Sequence, residues 1–361
     1  MKILVVGDWH SELHEIAVFQ ALEQLGHLPL RFAWNGYFKP GEGLRRLTMP
    51  FLKAQNKYMI GPVLDRLNLE LIDQVAYEQP DVVFVYRGTH IYPETLRRIR
   101  QVSNHSVLVG YNNDDPFSQL YPKWKWRHFL AGVPEYDLIL AFRLHNLDEF
   151  KAAGAKRVEL LRHWFIPERN YPVDLSSDEK NQFGCDVVFI GHYEDDGRLG
   201  YLEEIVRQGW NLRLFGAGYE WDPIIRKSKE LSAHIPVNLV LGADYNRALC
   251  GAKVALCFFS KLNRDTYTTR SFEIPATRTM MLSEYSDDLA VLFTEGKEAE
   301  FFRNKEELSD KLTHYIKNNE MRRTVAAAGY NRVVNDGHDI VSRMKKVLSW
   351  VEELHAIGGK V

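Results

Sequence analysis

Cys185-Asp-Val-Val-Phe-Ile190-Gly191 restarts, midway along the chain, a pattern that Ile3-Leu-Val-Val6-Gly7 begins. Each is a short apolar run rich in β-branched residues that ends on a glycine, with a helical pattern downstream. Outward from Cys185, the strand-like runs are Leu212–Phe215, Val237–Leu241, Val254–Phe259 and Met280–Leu282. Helical patterns lie near Gly200–Gln208, from Tyr245, around Glu273, and from Glu306, Met321 and Ile340. The first half reads alike, with strands at 3–6, 28–33, 82–86, 106–110 and 136–142 and helices at 15–25, 64–78, 93–100 and 146–153. Continuously apolar strands separated by helices predict parallel sheets covered on both faces. Between the halves, residues 163–184 carry Pro167, Pro172 and a polar run, which predicts a linker.

The fold class predicted is therefore α/β, with two Rossmann-like, doubly wound domains facing each other across a cleft. The expected division is an N-terminal domain over 1–165, a linker over 166–184 and a second domain over 185–338. A C-terminal helix over 339–361 is expected to be able to cross back to the first domain. Ligands of such folds sit at the carboxyl ends of the strands. Residues 36–62 fit the alternation poorly. They read as a plain connecting helix or as an insertion shaping an acceptor pocket.

At 361 residues the chain is too long for one ordinary core. A hydrophobic share of 45% and a charged share of 26% are those of a globular protein. A net charge of -2 provides no general field for nucleic acid, so no nucleic-acid partner is expected. Cys185, Cys250 and Cys257 form neither a disulfide framework nor a zinc site, which suits a reducing compartment. The opening apolar run is too short for a signal-peptide core, and no segment reaches the ~18 apolar residues of a membrane span. A cytoplasmic location is expected. Tyr121-Pro-Lys-Trp-Lys-Trp-Arg-His-Phe129 is basic and aromatic together. It reads as a helix start with buried tryptophans, or as a surface for peripheral contact with the inner face of a membrane or for sugar rings.

Asp265-Thr-Tyr-Thr-Thr-Arg270-Ser-Phe-Glu273 places an acid, hydroxyls, an arginine and a second acid where a strand hands over to a helix. A capped helix with a surface ion pair explains it structurally. A diphosphate met by Thr269 and Arg270, with Asp265 and Glu273 on hydroxyls, explains it functionally. Three further groups follow strands of the second domain: Gly191 with Arg198, Gly216 in a glycine-rich turn, and Tyr245 beside Asp244. Each alone is an ordinary turn or cap; together they outline a nucleotide-sugar donor site. In the first domain, Asp8, His10, Arg87, His90, Asn113, Asp114 and Asp115 all follow strands. They read as an acceptor face, with Asp8, His10, Arg87, His90 and Asn113 binding. The candidates for a general base are His10, His90, Asp114 and Asp115.

Thr269-Arg270-Ser-Phe-Glu273-Ile-Pro-Ala276, Phe301-Phe302 before Glu306-Glu307-Leu308, and Arg322-Arg323 with Gly329 and His338 resemble the CgeB-like (spore maturation protein B) glycosyltransferases, relatives of family-four glycosyltransferases. Asp186–Gly191 with Arg198, and Asp114-Asp115-Pro116, are similar too. The resemblance covers most of residues 110–350. It implies the GT-B fold and a donor bound mainly by the second domain, with Arg198 and Arg270 facing the diphosphate. The catalytic residues expected are Arg270 and, from the strand ends of the first domain, His10, Asp114 and Asp115. By the spacing of two acids in relatives, Glu273 inherits the ribose role. Asp265 replaces the usual glutamate, and Ala276-Thr-Arg278-Thr replaces a glycine-rich turn. No cofactor and no metal are implied, because arginines and hydroxyls stabilise the leaving diphosphate.

The function expected is transfer of a sugar from a nucleoside diphosphate sugar to a hydroxyl of a saccharide, lipid carrier or protein, in polysaccharide or glycoconjugate biosynthesis. The alternatives are a nucleotide-sugar epimerase of the same fold, or a non-catalytic sugar-nucleotide-binding or coat-assembly protein.

Overall fold

The computed structural model describes residues 1–40 and 45–358. The chain forms two compact units, Met1–Arg162 with Ile340–Val361, and His163–Asp339.

The strands of the first unit are Lys2–Gly7 (β1), Leu28–Ala33 (β2), Val82–Tyr86 (β3), Val107–Asn112 (β4), Leu138–Ala141 (β5) and Val158–Leu160 (β6). They form one sheet in the order β2-β1-β3-β4-β5-β6, with every pairing parallel. The central strands are buried along nearly their whole length, as their unbroken apolar runs require. The edge strands β2 and β6 are partly exposed. Helix Pro62–Glu78 buries Leu64, Leu67, Leu71 and Val75, one stripe at helical spacing, in the core that Leu4, Val6, Val83, Val85 and Leu108 form. Helix Ile340–Gly358 also belongs to this unit and packs on helix Glu15–Gln24.

The second unit repeats the plan with Cys185–Ile190 (β7), Leu212–Phe215 (β8), Ala252–Cys257 (β9), Met280–Glu284 (β10) and Glu300–Phe302 (β11). The order is β11-β10-β9-β7-β8, again all parallel. Val187, Phe189, Val254, Leu256 and Leu282 pack with Leu202, Ile205, Trp221, Leu308 and Leu312 from the covering helices.

In both sheets the first strand lies inside, with the second strand on one side and the third on the other. The chain therefore reverses direction across the sheet between β1 and β3, and again between β7 and β9. At such a reversal the loops leaving two adjacent strands diverge to opposite faces, and a crevice opens between them.

Some expectations change. Residues 166–184, read as a linker, are built into the second unit. Ile166, Asn170, Leu175 and Phe183 are buried, and Ser177–Phe183 is a helix. Ser176 and Glu179 close its capping box, and both prolines lie upstream of the helix, where they do not interrupt it. Val237–Leu241, read as a strand, makes one bridge, between Asn238 and Phe215. Leu239 and Leu241 stand in solvent, so the run gains no sheet face to cover. The three-residue edge strands β6 and β11 are too short to show a period. Residues 36–62 include helix Arg45–Tyr58, while 41–44 lie outside the described residues.

Helix Asn319–Asn335 approaches closely at Gly329, where a Cβ would stand 2.4 Å from the Glu298 carbonyl oxygen. Backbone cannot yield as a side-chain tip can. Gly329→Ala should therefore destabilise the second unit by about 1–3 kcal/mol, read as a lower urea midpoint with an unchanged slope.

Candidate functional site

A cavity opens at each strand reversal. In the second unit it has a volume of about 190 Å³ and lies beyond the carboxyl ends of β7 and β9. Arg198, Asp265, Thr269 and Arg270 line it, together with His192 and Asn263. Four residues singled out in the sequence thus share one wall.

The two arginines differ. Arg198 is buried and its fork is already taken. Nε and Nη2 donate to the two carboxylate oxygens of Asp196 at 2.8 and 2.6 Å, and Nη1 donates to the His192 carbonyl at 2.7 Å. It lines the crevice with its charge already balanced inside the protein. Arg270 forms no ion pair among the described residues. Its Nε is buried without a hydrogen-bond partner. A donor in that state costs stability unless a ligand or water completes it.

Gly191 explains how Arg270 fits. A Cβ there would lie 2.9 Å from the Phe189 ring and 3.5 Å from the guanidinium carbon of Arg270. The glycine clears the space in which the fork rests. Gly216 has a packing role. A Cβ at this position would meet the Gly191 carbonyl at 2.3 Å and the Trp221 indole nitrogen at 2.6 Å. That indole donates to the Gly191 carbonyl at 2.8 Å, so the two post-strand turns are locked together.

Thr269 stands at the N-cap of helix Arg270–Ala276, yet its hydroxyl does not cap. It meets Nδ1 of His163 at 3.1 Å. His163 is buried and stacks on Trp164 at 4.3 Å. Its part in the site has no sequence signal, because 106 residues separate it from Thr269. Residues Ser271 to Glu273 spend their amides on Thr268 and Thr269 carbonyls.

Glu273 is buried, and Tyr245 donates to its Oε2 at 2.6 Å. Tyr245, read as part of the donor site, is thus held by the acid. Burial holds the Glu273 carboxyl above its ordinary pKa, and the Tyr245 hydroxyl and the Arg270 charge offset only part of that rise. Neither Tyr245 nor Glu273 lines the cavity, but both lie just behind Arg270.

In the first unit the cavity is about 230 Å³, between the ends of β1 and β3. Asp8, Arg87, His90 and Asp114 line it. Arg87 reaches Asp114 at 3.3 Å and Asn113 Oδ1 at 3.3 Å. His10 sits beside this group, exposed, with Nδ1 2.9 Å from Asp8 Oδ2. The carboxylate accepts from Nδ1–H and leaves Nε2 as the proton acceptor. Gly7 makes room for the buried Glu15 carboxyl, which a Cβ would meet at 2.3 Å.

His90 is not such a base. Nε2 donates to Asn56 Oδ1 at 2.8 Å, and Nδ1 accepts from the Thr89 hydroxyl at 2.9 Å. The ring stacks on Trp34 at 5.3 Å, and burial lowers its pKa to about 4. Asp115 is likewise internal. It accepts from the Phe117 amide at 3.0 Å and from Asn146 at 3.0 Å. With His145 and Glu149 it brings ligand atoms within 4.8 Å of one another, the group among the described residues able to hold a cation. Asn146 already bridges its two carboxylates, with a second bond of 2.7 Å to Glu149.

The basic-aromatic run of 121–129 supplies Trp124, Lys125 and Trp126 to the same cavity wall. Lys125 lies 3.8 Å from the Tyr121 ring centre, and Trp126 is buried. Asn56, Lys57 and Met59, from the 36–62 stretch, complete the wall. No single residue of either stretch was named for the site, although 36–62 was read as able to shape an acceptor pocket and 121–129 as a surface for sugar rings. No described helix is long and apolar enough to cross a membrane.

A family model described as glycosyl transferase-like matches residues 198–349. No curated protein matches the sequence significantly. Among solved structures, Anabaena Alr3699/HepE in complex with UDP-glucose is similar over 98% of this chain and 100% of its own, with a TM-score of 0.68 and 11% identity. Sucrose-phosphate synthase from Thermosynechococcus elongatus gives 0.69 and 11% over 98% and 100% of the two chains. A glycosyltransferase from Rickettsia africae gives 0.68 and 12% over 98% of each. The fold of two parallel-sheet α/β domains is that of GT-B glycosyltransferase structures.

His90 takes up a proton at lower pH in the folded protein than in the unfolded chain. Between about pH 6.5 and 4 the unfolded chain binds protons more readily, so stability falls as pH drops through that window. His90→Phe keeps the stacking ring and cannot be protonated. The fall in melting temperature between pH 6.5 and 4.5 should be shallower in this variant than in the unsubstituted protein.

Proposed function

We propose that the protein is a glycosyltransferase of the CgeB-like kind, moving a sugar from a nucleoside diphosphate sugar to a hydroxyl acceptor. The observation that carries this reading is Arg270. Its guanidinium lines a crevice at a strand reversal and has no carboxylate partner among the described residues, and its Nε is buried without an acceptor there. A diphosphate supplies the missing charge and the missing oxygen together. The glycosyl transferase-like match over 198–349 includes Arg198, Asp265, Thr269 and Arg270 of this crevice, and the Anabaena neighbour of the same fold is described with UDP-glucose.

In this reading the bond between the anomeric carbon and the diphosphate oxygen breaks, and negative charge grows on the leaving group. Arg270 is already oriented toward that charge, so little reorganisation accompanies the reaction. Asp265 lines the same cavity and accepts from hydroxyls of the donor sugar. Tyr245 fixes one oxygen of Glu273 and leaves Oε1 for a ribose hydroxyl. On the first unit, His10 with its Asp8 partner is the base we favour, because Asp115 and His90 are committed internally. Asp114, already paired with Arg87, helps to place the acceptor.

Arg270→Ala should lower donor turnover by about two orders of magnitude, with melting temperature unchanged, since one preorganised charge contributes ~3 kcal/mol to such a transition state. Turnover is read as release of free nucleoside diphosphate, with acceptor or by slow hydrolysis. Activity within threefold of the parent protein would remove Arg270 from the mechanism. Glu273→Gln should weaken nucleoside diphosphate binding about tenfold in calorimetry, as expected for losing a charged hydrogen bond of roughly 1.5 kcal/mol. Isomerisation of the donor sugar without acceptor would point to an epimerase.

A further inference from the structure

The second unit carries another cavity at the opposite end of its sheet. It is larger, about 660 Å³, and lies against Ala252 and Met280, the first residues of β9 and β10. The crevice that holds Arg270 lies past the last residues of the same sheet. A strand of this length separates the two by about 20 Å. The volume suits a small molecule.

Its wall is cationic. Lys253, Arg278, Arg322 and Arg323 face Asp174 as the acid of the lining. Lys253 pairs with Asp186 at 2.7 Å, and Arg322 donates to the Tyr315 carbonyl at 2.8 Å, ending helix Lys305–Lys317. These two charges have internal work. Arg278 and Arg323 do not. Among the described residues neither side chain makes a hydrogen bond or ion pair; Arg278 has only the Tyr330 ring, 5.6 Å away. Burial and the neighbouring Arg323 both push the Arg322 pKa down, and the charge of Asp186 offsets only part of this.

The backbone gives a second reason. Arg278 has φ +59°, in the left-handed region that costs a branched or long side chain about 1 kcal/mol and that glycine enters freely. The turn it occupies, Thr277 to Thr279, is held from within. Thr277 Oγ1 donates to the Ile274 carbonyl at 2.8 Å, and Thr279 Oγ1 donates to the Leu249 carbonyl at 2.9 Å. Glycine would fit this turn better.

We propose that this cavity is a binding site for a small phosphate-bearing anion, separate from the donor crevice, with the Arg278 and Arg323 forks as its ligands. Planar forks match phosphate oxygens two at a time, as point charges do not. Helix Arg270–Ala276 has Arg270 at its first position and hands over to Arg278 just past its end, so the two anion sites lie at opposite ends of one rigid element.

The test uses pyrophosphate in calorimetry at fixed ionic strength, on Arg270→Ala protein so that the donor crevice is silenced. Arg278→Gly and Arg323→Gln are then added together. Arg278→Gly relieves the left-handed strain, so loss of binding cannot be laid to misfolding, and a melting curve at least as high as the parent's checks this. The expected result is saturable pyrophosphate binding that weakens at least tenfold in the triple variant. Equal affinity in the two proteins overturns the proposal. So does heat that chloride reproduces at the same ionic strength, which is screening alone. Binding to phosphatidylserine vesicles without binding to free pyrophosphate also overturns it, and assigns the patch to a membrane surface.

Discussion

The constraint on which this molecule depends is the burial of two parallel sheets on both faces. A parallel sheet needs a right-handed crossover after every strand, and the crossovers cover both faces only if the chain changes direction across the sheet. The strand order then reverses once in each sheet, between β1 and β3 and between β7 and β9. The loops at each reversal cannot pack against each other, and both small cavities lie there. The sites follow from the covering of the sheets.

Charge balance then separates site from scaffold. Arg198 and Arg270 stand in one crevice and look equivalent in sequence. Asp196, two residues from Arg198, takes both prongs of its fork, and the resulting pair is neutral and buried. Nothing comparable stands beside Arg270 among the described residues. Glu273, whose carboxyl feels the Arg270 charge, is held by Tyr245, and Gly191 leaves the space open. The same accounting separates His10 from His90. One has a carboxylate on Nδ1 and an exposed Nε2; the other has both nitrogens committed and a ring packed on tryptophan.

Much of this was legible in the chain. The strands from Ile3 and Cys185 were readable because central parallel strands must be apolar at every position. The edge strands β6 and β11 were not, since three half-paired residues carry no period. Asp265, Thr269 and Arg270 were readable as a group because they are neighbours in sequence. Lys125 and Trp126 were visible as a basic-aromatic run, but not as the wall of a cavity. His163 was invisible, since its partner Thr269 comes near only when the whole second unit closes.

The sequence by itself determined the two-sheet α/β plan and the kinds of side chain found at the strand ends. Period and composition are local, and burial on both faces leaves a mark at every residue of a strand. Only the tertiary structure decided which of those side chains are free to act. A guanidinium, a carboxylate or an imidazole is available or spent according to what lies within about 3 Å of it, and hydrogen bonds of that length join residues far apart in the chain.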